Sequence, residues 1–210
     1  MKWFDNIDNA LRNVTRFAGL NLTWLGLTAL GLGVLGLFPA TVALFHVARQ
    51  WVLGDTEKPL LAMAWKQYWA CFWHANLAGW AITSVGTVLY LNYQVIQAAD
   101  GAVPMMMVLS FLAVSLLFGL LVSVLLPIVS HYDAPAGELI KKATCFALGR
   151  LPVAILFPLI LWTMGWLTLA LPAFFLFFSG SVTAYTLMWL FTHSIKRLIA
   201  TNASALQLKL

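Results

Sequence analysis

The chain has 210 residues, of which 62% are hydrophobic and 9% charged, far from the roughly 45–50% apolar and about 25% charged residues of soluble globular proteins. This composition predicts a membrane protein and excludes a soluble enzyme core, a disulfide-stabilised secreted scaffold and a disordered tail. The formal charge of +5 indicates membrane topology and contact with lipid headgroups rather than nucleic-acid binding, because the basic residues form no stripe on a polar surface.

The N-terminal segment has the pattern of an amphipathic helix. Apolar residues recur every three or four positions from Trp3 to Phe17, with polar and charged residues between them. This periodicity predicts a helix over residues 1–18 that lies in the membrane interface. A cleaved signal peptide is rejected, because Asp5 and Asp8 precede the long apolar segment that follows.

The rest of the chain is predicted to form one all-α, multi-pass membrane domain over residues 19–198, followed by a short cytoplasmic tail over 199–210. A spanning helix needs about 20 apolar residues to cross a hydrocarbon core about 30 Å thick. Five segments meet this need, at residues 20–46, 70–92, 104–129, 151–171 and 173–195. The first is longer than the core requires and is expected to bend at Pro39. The last two are joined so tightly at Pro172 that they are expected to form an antiparallel hairpin.

Basic residues determine the predicted orientation. Nine lie in the first loop, the third loop and the C-terminal tail, against three before the first span, Lys2, Arg12 and Arg16. By the positive-inside rule the two loops and the C-terminus are cytoplasmic, and five spans then place the N-terminus outside. The three N-terminal basic residues leave one alternative open. A re-entrant hairpin over residues 20–51, broken at Pro39, would keep the N-terminus in the cytoplasm as well.

No group of residues has the spacing of a catalytic or metal site. Four histidines lie near predicted span ends without an i, i+4 pair and without a cysteine or carboxylate to complete a ligand set: His46, His74, His131 and His193. Ser179 and Ser181 lack a nearby base, since His193 is about 18 Å along the helix from Ser181. Cys71 and Cys145 are expected to be free thiols in a reducing cytosol. We therefore predict no catalytic residue, no metal, no cofactor and no enzymatic activity.

Three asparagines lie near span ends or within the predicted spans. Asn21, Asn76 and Asn92 are predicted to form interhelical hydrogen bonds, and substrate coordination is the less favoured interpretation. Asp, Glu, Lys and Arg are absent from the apolar stretches of the spans, at residues 20–45, 82–90, 105–129, 151–170 and 173–192. Ion-coupled transport is therefore disfavoured, because it normally uses ionisable residues at mid-membrane.

One block near the N-terminus is more specific than the rest of the chain. It consists of Asn21-Leu22-x-Trp24, Gly33-x-x-Gly36-Leu37-Phe38-Pro39-Ala40-Thr41-x-Ala43-Leu44, Trp51 followed by Gly54, and Phe72-x-x-Ala75-Asn76-x-x-Gly79. Further downstream are Leu126-Pro127, Tyr132-Asp133, Lys142-Ala143 and Leu151-Pro152. This pattern resembles the YesL-like family, bacterial membrane proteins classed as a domain of unknown function. The resemblance implies a small multi-pass protein of the bacterial cell membrane, often encoded beside carbohydrate ABC importers and glycan-degrading enzymes in Gram-positive bacteria.

The small residues of that block have two interpretations. Ala29 and Gly33, like Gly36 and Ala40, are four residues apart and let a second helix backbone approach closely. They either pack one span against another inside the monomer or dock a different membrane subunit. In the docking interpretation the contact surface consists of Ala29, Gly33, Gly36, Pro39, Ala40, Thr41 and Trp51.

The resemblance and the missing catalytic, nucleotide-binding and coupling residues predict a non-enzymatic accessory subunit that docks on the permease of a carbohydrate ABC importer. Its partners would be the permease subunits and membrane lipids, with any oligosaccharide contact indirect and no nucleic acid. The alternative is a self-sufficient pore or facilitator for a small molecule such as a sugar. In that case tryptophans would line the path by stacking: Trp24, Trp73, Trp80 and Trp162.

Overall fold

A computed structural model describes residues 2–56, 58–98, 104–132 and 134–207 of the chain. Within these ranges the protein is all-helical, as predicted. The helices are α1 (Lys2–Leu30), α2 (Val34–Val52), α3 (Leu60–Gln97), α4 (Met105–His131), α5 (Ala136–Gly149), α6 (Leu151–Ala170), α7 (Pro172–Phe177) and α8 (Ser179–Gln207).

The first two helices form an antiparallel hairpin. The indole nitrogen of Trp24 donates to the Thr41 hydroxyl at 3.2 Å, and nearer the open end the rings of Phe17 and Trp51 lie 5.6 Å apart. The chain reverses at the turn between α1 and α2, where Leu32 has φ 57° and Gly33 has φ 78°. Two consecutive residues with positive φ end a right-handed helix and turn the chain back on itself.

This hairpin corrects two predictions. The helix over residues 1–18 is not a separate interfacial element, because α1 continues without a break to Leu30. The single helix over residues 20–46 with a bend at Pro39 is also wrong. The break lies at Gly31–Gly33, and Pro39 is inside α2 without ending it.

The third helix is the longest, and its two halves have different surroundings. Its first half packs on α2, where Gly79 lies directly beneath the ring of Phe38. Its second half contacts α4, with the rings of Tyr93 and Phe111 stacked at 6.5 Å. Beyond Gly79 no residue of α3 is buried. The second half of α3 and the start of α4 therefore form a two-helix projection.

The core lies at the other end of the bundle, where α2, the first half of α3, the end of α4, α5, the start of α6 and α8 meet. Its largest fully buried side chains come from five of these helices and from α1, and they include Leu20, Val47, Tyr68, Ile128, Phe157 and Phe191. The open end of the α1–α2 hairpin belongs to this same end, since Arg49 of α2 donates to His131 at the end of α4.

The last two predicted spans do turn at Pro172, with Leu171 as the only residue between α6 and α7. The prediction of one continuous helix over 173–195 is wrong. Phe178, with φ −136° and ψ −24°, separates α7 from α8. The eighth helix then continues to Gln207, so residues 199–207 of the predicted tail are helical, and residues 208–210 lie outside the described part.

Two of the described helices, α4 and α6, have the length and apolar composition needed to cross a membrane, with mean hydropathies of 2.7 and 2.0. They coincide with the predicted spans at 104–129 and 151–171. The other three predicted spans, and the count of five, stay predictions.

Candidate partner-docking site

Three residues of the predicted docking surface are buried inside the α1–α2 hairpin and its packing partners. A Cβ on Gly36 would overlap the carbonyl oxygen of Thr28 and lie 2.8 Å from that of Leu27. Pro39 and Ala40 are buried next to it. The close approach of α1 and α2 requires glycine at position 36, which is the intramolecular packing interpretation of these small residues. The predicted docking surface is corrected accordingly, because Gly36, Pro39 and Ala40 offer no free face.

Two further residues of that surface hold the hairpin arms together. The Thr41 hydroxyl donates to the Leu37 carbonyl at 2.7 Å while it accepts from Trp24. Trp51 is half-buried and meets Phe17 edge to face. Both side chains are therefore engaged within the chain.

Of the remaining two, Ala29 is exposed in the last turn of α1, and Gly33 lies in the turn that follows α1. A Cβ built on Gly19, Gly26 or Gly33 would meet no atom within 4 Å. These glycines are spaced seven residues apart, and Leu22 and Ala29 between them are exposed. We name the set Gly19, Leu22, Gly26 and Ala29 the outer α1 face. The predicted docking surface does not include Gly19, Leu22 or Gly26. The seven-residue spacing of the glycines is the sequence signal that identifies this face.

Asn21 joins the hairpin to the last two helices. Its amide nitrogen donates to the carbonyls of Phe175 at 2.9 Å and Leu176 at 2.8 Å, in the last turn of α7. Its side-chain oxygen accepts from the amides of Gly180 and Ser181 at the start of α8. The prediction of an interhelical hydrogen bond is confirmed here, since one amide satisfies four backbone groups that the break at Phe178 leaves without helical partners.

The other two asparagines bond within their own helix, so the interhelical prediction is wrong for them. Asn76 donates to the Phe72 carbonyl at 2.9 Å, and Asn92 donates to the Val88 carbonyl at 3.3 Å. The side-chain oxygen of Asn76 is buried without a hydrogen-bond partner. The side chain of asparagine is short, and it reaches the carbonyl oxygen four residues earlier in its own helix. This hydrogen bond therefore needs no second helix.

The polar residues considered for catalysis or metal binding have structural surroundings. His131 accepts from the Arg49 Nε at 3.2 Å and packs against the ring of Phe191. Another histidine, His193, stacks on Trp189 at 5.3 Å. The hydroxyl of Ser181 donates to the carbonyl of Phe178 within its own turn. Among the described residues, no three His, Cys, Asp or Glu side chains form a group that could hold a metal ion.

The four tryptophans of the pore alternative do not come together. Trp24 is bound to Thr41 inside the hairpin, and Trp80 packs on Phe38. Trp73 and Trp162 are 80% and 77% exposed on two different helices. No ring contact joins any two of the four, so the structure gives them no common path.

The part of the chain that matches a known protein family extends from α1 into α3. Residues 17–93 match the family model described as "Protein of unknown function, DUF624". The uncharacterized protein YteU of Bacillus subtilis (strain 168) is 31% identical over 176 residues, which cover 82% of this chain and 77% of the relative. The uncharacterized protein YesL of the same organism is also 31% identical over 176 residues, covering 83% and 82%. The uncharacterized protein YesV is 26% identical over 137 residues, covering 65% and 66%. No solved structure matches the chain significantly.

Proposed function

The chain belongs to the YesL-like DUF624 family, and from this premise we propose that it is a non-enzymatic accessory subunit that docks on the permease of a carbohydrate ABC importer. The family resemblance supports the choice of a carbohydrate importer as partner. The accessory role is supported by the open outer α1 face and by the hydrogen bonding of the buried Asn21 side chain.

The proposal places the chain in the bacterial cell membrane as a multi-pass protein. In α4 and α6 the most apolar stretch has only 28% and 11% of its residues buried inside the protein. A core helix of a soluble protein with such a sequence would be covered by neighbouring helices, because exposed apolar surface of this extent is unfavourable in water. Lipid covers these helices instead.

The observation that carries the proposal is the outer α1 face. Without side chains at Gly19 and Gly26, a second helix backbone can approach α1 closely, and no atom of the described residues lies within 4 Å of a Cβ at either position. A repeat of seven residues suits the left-handed crossing of about 20° that most membrane helix pairs adopt. We therefore assign the outer α1 face to a permease helix.

Two further observations favour an accessory role over a pore. The tryptophans proposed to line a path are on separate surfaces, as described above. Asn21, the best-bonded buried polar group, spends all its hydrogen-bonding capacity on the chain's own backbone. Such a group stabilises the fold and has no free donor or acceptor for a substrate.

The test is co-purification of the tagged native chain in a mild detergent, with the recovered proteins identified by mass spectrometry. We expect the two permease subunits of a carbohydrate importer in near-equal amounts with the bait. Gly26→Leu should reduce their recovery at least tenfold while the variant stays folded, because its side chain enters open space. Gly165→Leu is the matched control, since Gly165 lies on α6, is exposed and also meets no atom within 4 Å.

Three results would contradict the proposal. A native chain that repeatedly purifies without permease subunits removes the partner. Equal recovery with Gly26→Leu and the wild type removes the outer α1 face. Uptake of oligosaccharide by proteoliposomes that contain this protein alone would instead establish the pore alternative.

A further inference from the structure

The turn of the α1–α2 hairpin has an unusual composition for a turn between two helices. From Ala29 to Phe38 every residue is apolar or glycine. Leu32 at the tip is 86% exposed, and its neighbours Leu30, Val34 and Leu35 are exposed as well. Turns that face water are built from Gly, Pro, Asn, Asp and Ser, whose polar members bond to the backbone or to solvent. This tip is built for an apolar surrounding.

The backbone of the turn is also suited to a medium without water. Six of the seven amide groups from Gly31 to Leu37 donate to carbonyls within the hairpin, which leaves few groups in need of solvent. They include Gly33 to Thr28 at 2.9 Å, Val34 to Leu32 at 2.9 Å and Gly36 to Gly31 at 3.0 Å. In a bilayer such internal pairing is required, because hydrocarbon offers no hydrogen bonds.

The length of the arms limits how deep the hairpin can reach. At about 1.5 Å per residue, the 19 residues of α2 extend about 28 Å, less than a 30 Å hydrocarbon core. The 27 residues of α4 extend about 40 Å by the same measure. The arm is therefore slightly shorter than the core and clearly shorter than α4, so the tip can stay inside the bilayer while the open end lies at one surface.

The charges place the open end of the hairpin. Arg12 and Arg16 precede Phe17, whose ring lies 5.6 Å from Trp51 and 5.3 Å from Tyr185. At this end Arg49 contacts His131. The other basic residues come from the segments that join or begin the helices at this end: the loop after α2, the start of α3, α5, the residue before α6, and the last part of α8. A hairpin thus returns the N-terminal basic residues to the side where the rest lie. The three N-terminal basic residues, which a five-span topology places outside, are then on the same side as the other nine, in agreement with the positive-inside rule.

We infer that residues 17–52 form a re-entrant hairpin that enters the bilayer from the cytoplasmic side and returns to it. The acyl chains of the membrane cover the tip at Leu32. Both termini are then cytoplasmic, and the crossings are made by α3, α4, α6 and the α7–α8 pair. This inference rests on the membrane location proposed above and is independent of the importer as partner.

The test is cysteine accessibility in intact cells, in the full chain without Cys71 and Cys145, with an impermeant maleimide as the probe. Single cysteines replace four exposed residues: Asn13, Leu32, Lys58 and Ala98. We expect Ala98→Cys to be labelled in intact cells, and Asn13→Cys and Lys58→Cys to be labelled only after permeabilisation. Leu32→Cys should react only after the membrane is dissolved in detergent.

The outcomes separate the hairpin from the membrane location. Labelling of Asn13→Cys in intact cells while Lys58→Cys stays protected would overturn the hairpin in favour of a spanning segment. Labelling of Leu32→Cys from outside would show that the tip crosses completely and would overturn the re-entrant depth. Recovery of the chain in the soluble fraction would overturn the membrane location itself. Unlabelled variants are checked for folding by their yield after gel filtration in detergent.

Discussion

At the scale of single residues, Asn21 shows how one side chain supports a broken helix away from water. Its side chain is fully buried and bonds to two carbonyls of α7 and two amides of α8. Without it, the break at Phe178 would leave three of those groups unpaired in the core, since only the Phe175 carbonyl has a second donor, the Ser179 hydroxyl at 3.0 Å. Leucine has a similar volume but offers no donor or acceptor.

We expect Asn21→Leu to lower the free energy of unfolding by about 2 kcal/mol, taking about 0.6 kcal/mol for each hydrogen bond in a membrane protein. The measurement is thermal or SDS unfolding in mixed micelles. Asn92→Leu is the control, because Asn92 is exposed and bonds only to Val88 in its own helix, so its effect should stay within about 0.5 kcal/mol. Equal effects of the two substitutions would show that the four bonds do not hold the α7–α8 junction.

Leu32 combines a backbone suited to glycine with a side chain suited to lipid. At φ 57° a leucine is less favourable than glycine by about 1 kcal/mol, so Leu32→Gly should be tolerated and slightly stabilising. Leu32→Lys should reduce the membrane-inserted fraction, since a charged side chain is unfavourable in hydrocarbon, by up to the difference of about 3 kcal/mol between Leu and Lys at mid-membrane. Pulse-labelled insertion assays compare the two. Insertion of Leu32→Lys at the wild-type level would place the tip in water.

At the scale of elements, local sequence predicted the helices but not where they break. Apolar segments identified the helical regions, and the turn at Pro172 was read from its proline. The sequence pattern predicts the bend at Pro39, yet α2 accommodates this proline, and the reversal uses the positive φ of Leu32 and Gly33. The break at Phe178 depends on Asn21, more than 150 residues away in sequence, and no local pattern reports such a contact.

The candidate site was predictable to a similar degree. The spacing of the small residues is compatible with both interpretations, packing inside the monomer and docking of another subunit. In the structure Gly36 and Ala40 pack inside the monomer. Choosing between the interpretations required knowing that α1 and α2 are separate antiparallel helices. That arrangement turns Gly36 toward Thr28 and leaves Gly26 open.

This difference between the two glycines is testable with one methyl group. Gly36→Ala should lower the free energy of unfolding by about 2 kcal/mol, because its Cβ overlaps the Thr28 carbonyl and forces the hairpin arms apart. Gly26→Ala, which adds the same methyl group in open space, should be neutral or stabilising by up to about 1 kcal/mol. Unfolding curves in the same detergent provide the comparison. A larger loss with Gly26→Ala would mean that α1 packs through its outer face within the monomer.

At the scale of the whole molecule, packing is concentrated at the end of the bundle where the basic residues lie. There α5, α6 and α8 meet through the rings of Phe146, Phe157 and Phe191. At the opposite end the second half of α3 is joined to α4 by contacts such as the stacking of Tyr93 on Phe111. Stability should therefore depend on the packed end, while the projecting helices depend on the surrounding lipid.

Two aromatic residues of α6 test this asymmetry because they share a helix and differ in burial. Phe157 is 0% exposed and packs 6.0 Å from Phe146, so Phe157→Ala leaves a cavity in the core and should cost about 3 kcal/mol of unfolding free energy. Trp162 is 77% exposed and touches the core little, so Trp162→Ala should change the free energy by less than about 0.5 kcal/mol, although it removes the larger side chain. Both values come from unfolding in lipid nanodiscs, where bilayer contacts are kept. If Trp162→Ala were the more damaging change, the lipid-facing surface of α6, and not the packed end of the bundle, would govern the stability of the protein.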